Sequence, residues 1–405
     1  MTSASAEGFL QALDTLCVGI AEGATERDRQ RQYPIEAIEA LRALGFWRLN
    51  VPRDYGGLGF DQHVLVQAVL RVAAADGSLG QLPQNHFNAM ERLRLAGTPA
   101  QREHYLGHVG AGHFFGNATA EPGETHPGQA QTRVFREGGQ WHLEGRKVYA
   151  TGALLADHIS VHALDEAGQV VSVIVDRQHP GVEVIDDWDG LGQRTTASGS
   201  ARFSAVPVQP LAIVRLPGDA RVAYRIAAQS QVLHAAIDVG IAEAGLAQAL
   251  ALGRHVHGGR GSGAKAFADD ALGVSLVGEL ALETRAARRL TEAAARLLAE
   301  VNGASSLRQV LDAYYEVAQA KVLSTRAVLS VTQKLYDIGG TRSARQGNGL
   351  DRYWRDARTH TLHDAVRWKP HALGRWLLDD AVADPWSVAH PYRTLAELEP
   401  QEPLA

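Results

Sequence analysis

Two histidines stand three residues apart in the run Arg358-Thr359-His360-Thr361-Leu362-His363-Asp364. At that spacing His360 and His363 share one face if the run is helical. An imidazole, with an ordinary pKa near 6.5, can donate a hydrogen bond, take up a proton or ligate a metal. Asp364 beside them could orient a ring or add a carboxylate. The sequence has no His-Glu-x-x-His motif, and no further ligand cluster accompanies the pair, so no metal is expected.

Four other segments hold residues suited to a planar ligand. In Phe114-Phe115-Gly116-Asn117-Ala118-Thr119-Ala120-Glu121-Pro122, Asn117 and free backbone N–H groups could meet the edge of a cofactor. In Val148-Tyr149-Ala150-Thr151-Gly152, an aromatic could pack on a ring system and the Thr151 hydroxyl could donate a hydrogen bond. Gly190 to Ser200 is a polar, glycine-rich loop ahead of a strand and Val206-Pro207. Gly339-Gly340 would let backbone approach a ligand closely, and the arginines from Arg352 to Arg358 could meet phosphate or carboxylate. Taken singly, each has a plainer reading: a surface connection, a turn, a barrel loop, a solvated arginine-rich helix face. Gly259-Arg260-Gly261-Ser262-Gly263 is glycine-rich but follows a helical stretch rather than a strand, which argues against a nicotinamide site.

The elements that must position these residues change in character along the chain. Residues 8 to about 112 read as helical; the run Ala37–Leu44 stops at Gly45, and Val51–Gly59 is a Gly/Pro-rich loop. From about 113 to 212, Trp141–Gly145, Val170–Val175, Val182–Ile185 and Ala201–Phe203 read as closely spaced strands of an antiparallel barrel or sandwich. From about 213 onward long helices return. Leu276 to Val301 and Leu307 to Tyr336 carry apolar residues at helical spacing and suggest a bundle. The last residues, with Pro385, Pro391, Pro400 and Pro403, read as a surface tail. The expected domains are 1–112, 113–212 and 213–405, in an α+β multidomain fold.

Composition bounds the rest. The 405 residues are 45% hydrophobic and 21% charged, ordinary for a globular protein. A net charge of −5 lacks the basic excess of a nucleic-acid binder. No uncharged apolar stretch reaches membrane-span length, and no targeting segment is visible, so neither a nucleic acid nor a membrane is an expected partner. The single cysteine, Cys17, reads as a small buried hydrophobe and fits a reducing, cytoplasmic setting.

In order and together, the Val51–Gly59 loop, Asn117–Pro122, Tyr149–Gly152, Gly190–Pro207 and Gly339-Gly340 to Arg358 resemble the acyl-CoA dehydrogenase superfamily over nearly the whole chain. The resemblance implies an N-terminal helical domain, a central β-barrel, a C-terminal four-helix bundle, a flavin between barrel and bundle, and a homotetramer. Where a typical dehydrogenase carries its glutamate base after Arg-Asp-Ala-Arg, this chain has Leu362-His363-Asp364-Ala365. Asp238 and Glu243 are the only acids on offer on a preceding helix, and Arg260-Gly261-Ser262-Gly263 stands near the place of the family's Arg-x-x-Phe-Gly motif.

Both departures resemble a monooxygenase branch that includes dibenzothiophene monooxygenase and the sulfur-acquisition oxidoreductases. Its Arg-Thr-x-Thr-x-His-Asp signature is matched by Arg358 to Asp364. That likeness implies reduced FMN from a separate flavin reductase, reaction with O2 to a flavin hydroperoxide, and oxygen insertion into a small organosulfur or other heteroatom substrate. It also implies roles. His363 and His360 flank flavin and peroxide, with His363 the main donor. Thr151 and Asn117 assist, and His86 lies near the pocket. Tyr149, Gly152, Gly339, Gly340 and Arg358 join them in holding the cofactor, and Arg260 reaches phosphate. Two alternatives stay open at this point: an FAD-dependent acyl-CoA dehydrogenase, and a flavin-binding or assembly protein without catalysis.

Overall fold

A computed structural model describes residues 5–123, 129–257 and 262–399. The N-terminal helices are α1 (Ala6–Gln30), α2 (Ile35–Leu44), α3 (Gln62–Ala75), α4 (Leu82–Ala96) and α5 (Pro99–Gly110). Their ends follow local chemistry. Ser5, Asp61 and Thr98 cap α1, α3 and α5 through their side chains, and Thr98 forms a capping box with Gln101. Helix α2 stops at Gly45, whose φ of 86° suits glycine, as expected from the sequence.

Eight strands follow: β1 (Phe115–Ala118), β2 (Arg133–Glu137), β3 (Gln140–Lys147), β4 (His158–Leu164), β5 (Val170–Asp176), β6 (Val182–Ile185), β7 (Ser200–Val208) and β8 (Ile213–Arg215). They form one sheet in the order β6-β7-β3-β2-β4-β5-β8, with β1 parallel to β4. Among the described residues β6 and β8 do not pair, so the expected barrel is not closed by hydrogen bonds.

The third region holds α6 (Ala220–Gly253), α7 (Ala271–Glu300) and α8 (Leu307–Gly339), then the shorter α9 (Asp351–His360) and α10 (Lys369–Asp379). The expected four-helix bundle is thus three long helices, with α9 against α6 and α8 in place of a fourth. Helix α6 is long and apolar enough to cross a membrane, but it forms the centre of the bundle, where Val232, Ala236 and Ile237 have no exposed surface. One core joins α1–α4 to the bundle, and a second fills the sheet beneath α4 and α5. Cys17 packs half-buried on the first core, and burial raises its thiol to about 12.

The C-terminal stretch departs from expectation. Instead of a tail, β9 (Ala381–Asp384) and β10 (Ser387–Thr394) form an antiparallel hairpin followed by α11 (Leu395–Leu398). Val382 and Ala383 are fully buried, and Ala383 is tied by Tyr224 and Tyr315 at 2.8 and 3.1 Å. The prolines are tolerated because such a two-stranded edge does not need every N–H.

Candidate active site

A cleft of about 680 Å³ opens where the three regions meet, within the usual range of a small-molecule site. Helix α4 supplies Gln84, Asn85 and Asn88; β1 supplies Asn117; β4 supplies Ser160 and His162; α6 supplies Gln231. His363 faces it from the turn after α9, and Asp384 to Ser387 of the hairpin form part of its rim. Gln84 Oε1, Asn85 Nδ2, Asn88 Oδ1 and Gln231 Oε1 are buried and have no hydrogen-bond partner among the described residues. Unmatched amides cost about 1–3 kcal/mol each, so this cluster is suited to a polar heteroaromatic ligand that pairs with them. A second cavity, about 780 Å³, lies between α1, the Asp189–Arg194 loop and Gln346–Arg355; Gly190, Arg194 and Arg355, from segments singled out in the sequence, line it, but no histidine does.

Behind His363 runs a line of buried groups. The His363 ring lies 4.0 Å from that of His234, centroid to centroid. His234 Nδ1 is 2.9 Å from His360 Nε2, and His360 Nδ1 is 2.6 Å from Asp238 Oδ1. Lys321, Ser324 and Thr325 donate to the other Asp238 oxygen at 2.6, 3.2 and 3.0 Å. These contacts fix the protons. Lys321 and His360 hold the Asp238 carboxyl far below its ordinary range, despite burial. The ionised oxygen requires a proton on His360 Nδ1. His360 Nε2 then accepts, so His234 donates from Nδ1 and keeps a bare lone pair on Nε2. His234 Nε2 is indeed buried and unpartnered among the described residues. Burial keeps His234 and His360 neutral, lowering both below the ordinary histidine value, and desolvation at the cleft wall lowers His363 too.

The residues expected at the site divide. His363 and Asn117 line the cleft. Thr151 is buried beside Asn117, whose N–H bonds its carbonyl, and shares a 2.7 Å hydroxyl contact with Ser198. Gly152 follows in a left-handed turn, its N–H on Thr196. Tyr149 is exposed, has a φ of 53° and stands edge-on to Trp188. Four expectations are corrected. His360 does not face the cleft, since both its nitrogens are taken one step behind His363. His86 is fully buried, with Nε2 bonded to the Trp47 carbonyl and Nδ1 accepting from Phe115 N–H, which leaves no nitrogen for a ligand. Gly339 and Gly340 end α8, eighteen residues past Lys321, or roughly 27 Å along the helix axis. Arg358 bonds Thr361, and Arg355 of the same helix binds the Asp28 and Asp351 carboxylates. Arg260 lies outside the described residues.

Asp364 pairs with Lys369 at 2.7 Å rather than with a histidine. Of the two acids considered as bases, Glu243 pairs with Arg288 at 2.7 Å and Asp238 is sealed behind its histidines. The polar Gly190–Ser200 loop clamps sheet to bundle, with Gly192 N–H on Thr359 and Gln193 N–H on Asp356. A Cβ on Gly192 would lie 2.0 Å from the Arg355 carbonyl oxygen, so only glycine fits there. Sequence reasoning missed His234 and His162. A signal existed for the first: His234 and Asp238 stand four apart in the apolar run Val232–Ala242, and such groups are buried only with partners.

The chain matches the acyl-CoA dehydrogenase N-terminal, middle and C-terminal domains over residues 11–113, 117–206 and 232–368. It belongs to the acyl-CoA dehydrogenase superfamily. Within it, the chain is 30% identical to dibenzothiophene monooxygenase of Rhodococcus erythropolis over 374 residues, spanning 88% of this chain and 89% of that one. FMN-bound TdsC from Paenibacillus sp. A11-2 shares its structure with a TM-score of 0.88 at 28% identity, over 93% of this chain and 98% of that one. Methanesulfinate monooxygenase MsuC from Pseudomonas fluorescens does so at 0.87 and 29%, over the same shares.

Proposed function

We propose that this protein is a flavin-dependent monooxygenase that uses reduced FMN and O2 to oxygenate a small organosulfur compound. The observation that carries the reading is the cleft itself: a neutral histidine faces it and, among the described residues, no unengaged carboxylate does. Both acids on its wall are occupied, Asp364 by Lys369 and Asp384 by the backbone N–H groups of Trp386 and Ser387. Abstraction of an α-proton from an acyl-CoA needs a free base, so FAD-dependent dehydrogenation fits the site poorly. The FMN of the Paenibacillus relative supports FMN over FAD.

Reduced FMN, when bound, supplies the two electrons that activate O2. The chain's residues do the rest. The unmatched amides of α4 and α6 and Asn117 hold the polar edges of flavin and substrate. The hairpin at Asp384–Ser387 closes the rim and excludes water. Neutral His363 donates a hydrogen bond to the reacting oxygen and passes its proton as water leaves. His234 fixes the plane of His363, and the Asp238–His360 pair fixes the tautomer of His234, so these three are positioning residues. Thr151 and Ser198 support Asn117 from below, and Tyr149, Gly152 and Trp188 offer a surface for the flavin's outer part.

A separate flavin reductase supplies reduced FMN to this cytoplasmic protein. The assembly is a homotetramer. Gly339 and Gly340 are too far along α8 to serve the cleft of their own chain, and α7 exposes Leu272, Val274 and Leu282, which a neighbouring copy would cover. The test is turnover of dibenzothiophene or methanesulfinate with photoreduced FMN under air. Oxygenated product supports the reading. Bleaching of bound flavin by butyryl-CoA without oxygen, or failure to bind flavin, contradicts it.

A further inference from the structure

Away from the cleft, where α5, the start of β1 and the start of β4 meet, three more histidines converge. His108 Nδ1 and His113 Nδ1 lie 3.1 and 3.0 Å from His158 Nε2, and all three atoms fall within 4.8 Å of one another. The ring centroids form a nearly equilateral triangle with sides of 5.0, 5.1 and 5.1 Å. Hydrogen bonding alone accounts poorly for this. A ring nitrogen carries one hydrogen or one lone pair, so His158 Nε2 cannot make two well-formed bonds at once. Protonation is no remedy, because it would set like charges side by side. Each neutral imidazole instead keeps one ring nitrogen as a lone pair.

A metal ion explains the arrangement. Around zinc, with Zn–N bonds of about 2.0–2.1 Å at tetrahedral angles, imidazole nitrogens sit about 3.3 Å apart and ring centroids about 5.2 Å apart. Two nitrogen separations and all three centroid distances are close to those values, and the third nitrogen pair lies within 4.8 Å. We infer that His108, His113 and His158 form a zinc-class divalent metal site, with the fourth position open to water. Asp157, next to His158 in the chain, is engaged by Arg42 at 3.0 Å and by Phe114 N–H. His104, one turn before His108, packs its ring against that histidine.

The site joins three elements that otherwise meet by packing: α5, the α5–β1 connection and β4. On β4, His158 shares a strand face with Ser160 and His162, which line the cleft about 13 Å further on at His162. The ion is therefore a structural clamp that fixes the start of the two cleft-bearing strands, not a participant in oxygen chemistry.

The test uses untagged, chelator-stripped protein titrated with Zn2+ against a chromophoric chelator, with Co2+ as a spectroscopic substitute. The expected result is one Zn2+ per chain, a tetrahedral Co2+ visible spectrum and a higher melting temperature on zinc addition. His113→Ala, a half-buried residue whose loss should not prevent folding, should weaken zinc more than tenfold and abolish the thermal shift. His363→Ala should bind zinc as the wild type does. Equal binding by wild type and His113→Ala, loss of binding in His363→Ala instead, or no zinc uptake by the wild type would each overturn the assignment.

Discussion

Two trios of histidines in this molecule are arranged on opposite plans. His234, His360 and His363 lie in line, from ionised Asp238 at one end to the cleft at the other. His108, His113 and His158 turn one nitrogen each toward a common point, with ring spacings equal to within 0.1 Å. Burial keeps members of both groups neutral. The difference lies in how each ring's two nitrogens are used. Where both find different partners, as in His360, tautomers become fixed and a proton has a defined path. Where single nitrogens gather, lone pairs collect and a cation is the natural partner.

The sharpest way to break that contrast is to exchange the phenotypes. His363→Ala should lower turnover by about 10²–10⁴-fold, the usual weight of a positioned acid or base. The fold should survive, since the side chain opens into the cleft. His113→Ala should leave turnover almost unchanged. A steady-state assay on both variants checks this, and equal losses would erase the distinction.

Asp238→Ala addresses the anchored end of the line. It strands Lys321, 1% exposed, without its counter-charge, which typically costs about 3–5 kcal/mol in urea unfolding. Removing both charges, in Asp238→Asn with Lys321→Met, should recover most of that stability. The pH profile of turnover should remain altered, because the His360 tautomer is no longer fixed. A double variant with a wild-type profile would show that the line is merely structural.

His86 is a third type, with both nitrogens satisfied and no chemistry. Burial lowers it to about 4, against about 6.5 when unfolded. The unfolded chain thus binds the proton first. Stability falls as pH drops from about 6.5 to about 4, by roughly 3 kcal/mol from this residue, and loses no more below that. Urea midpoints across that window should show the slope, and His86→Phe should flatten it whatever its overall stability. The smallest effect is at the cleft rim. Trp386 lies near the Arg92 guanidinium, 5.9 Å from it. Loss of a contact worth about 0.5–1 kcal/mol should raise KM about two- to fivefold in Trp386→Ala, with kcat unchanged.

Much of this molecule was legible in its sequence where the signal is local. Helical spacing located α7 and α8 to within a few residues, because an amphipathic face repeats every turn. Gly45 marked a helix end, because few other residues take a positive φ. The arginine-histidine run pointed to His363 without revealing what stands behind it. His234 and Asp238 come from a helix more than a hundred residues earlier, and only folding brings them to His360. For the same reason His108, His113 and His158 could not be grouped: one is on a helix, one in a connection, one on a strand. Strand β1 was missed because its four residues, Phe115–Ala118, are too few to show a period, and β4 was missed although His158, Ser160 and His162 alternate with apolar residues. The hairpin at Ala381–Thr394 was hidden by its prolines.

In the proposed reaction molecular oxygen, not water, is the source of the atom transferred. The direct measurement is mass spectrometry of the product from dibenzothiophene or methanesulfinate turned over with reduced FMN under ¹⁸O₂ in ordinary water. One ¹⁸O per oxygenation event is expected with the wild type, and almost no product with His363→Ala. Product formed without label, or label incorporated equally well by His363→Ala, would contradict it.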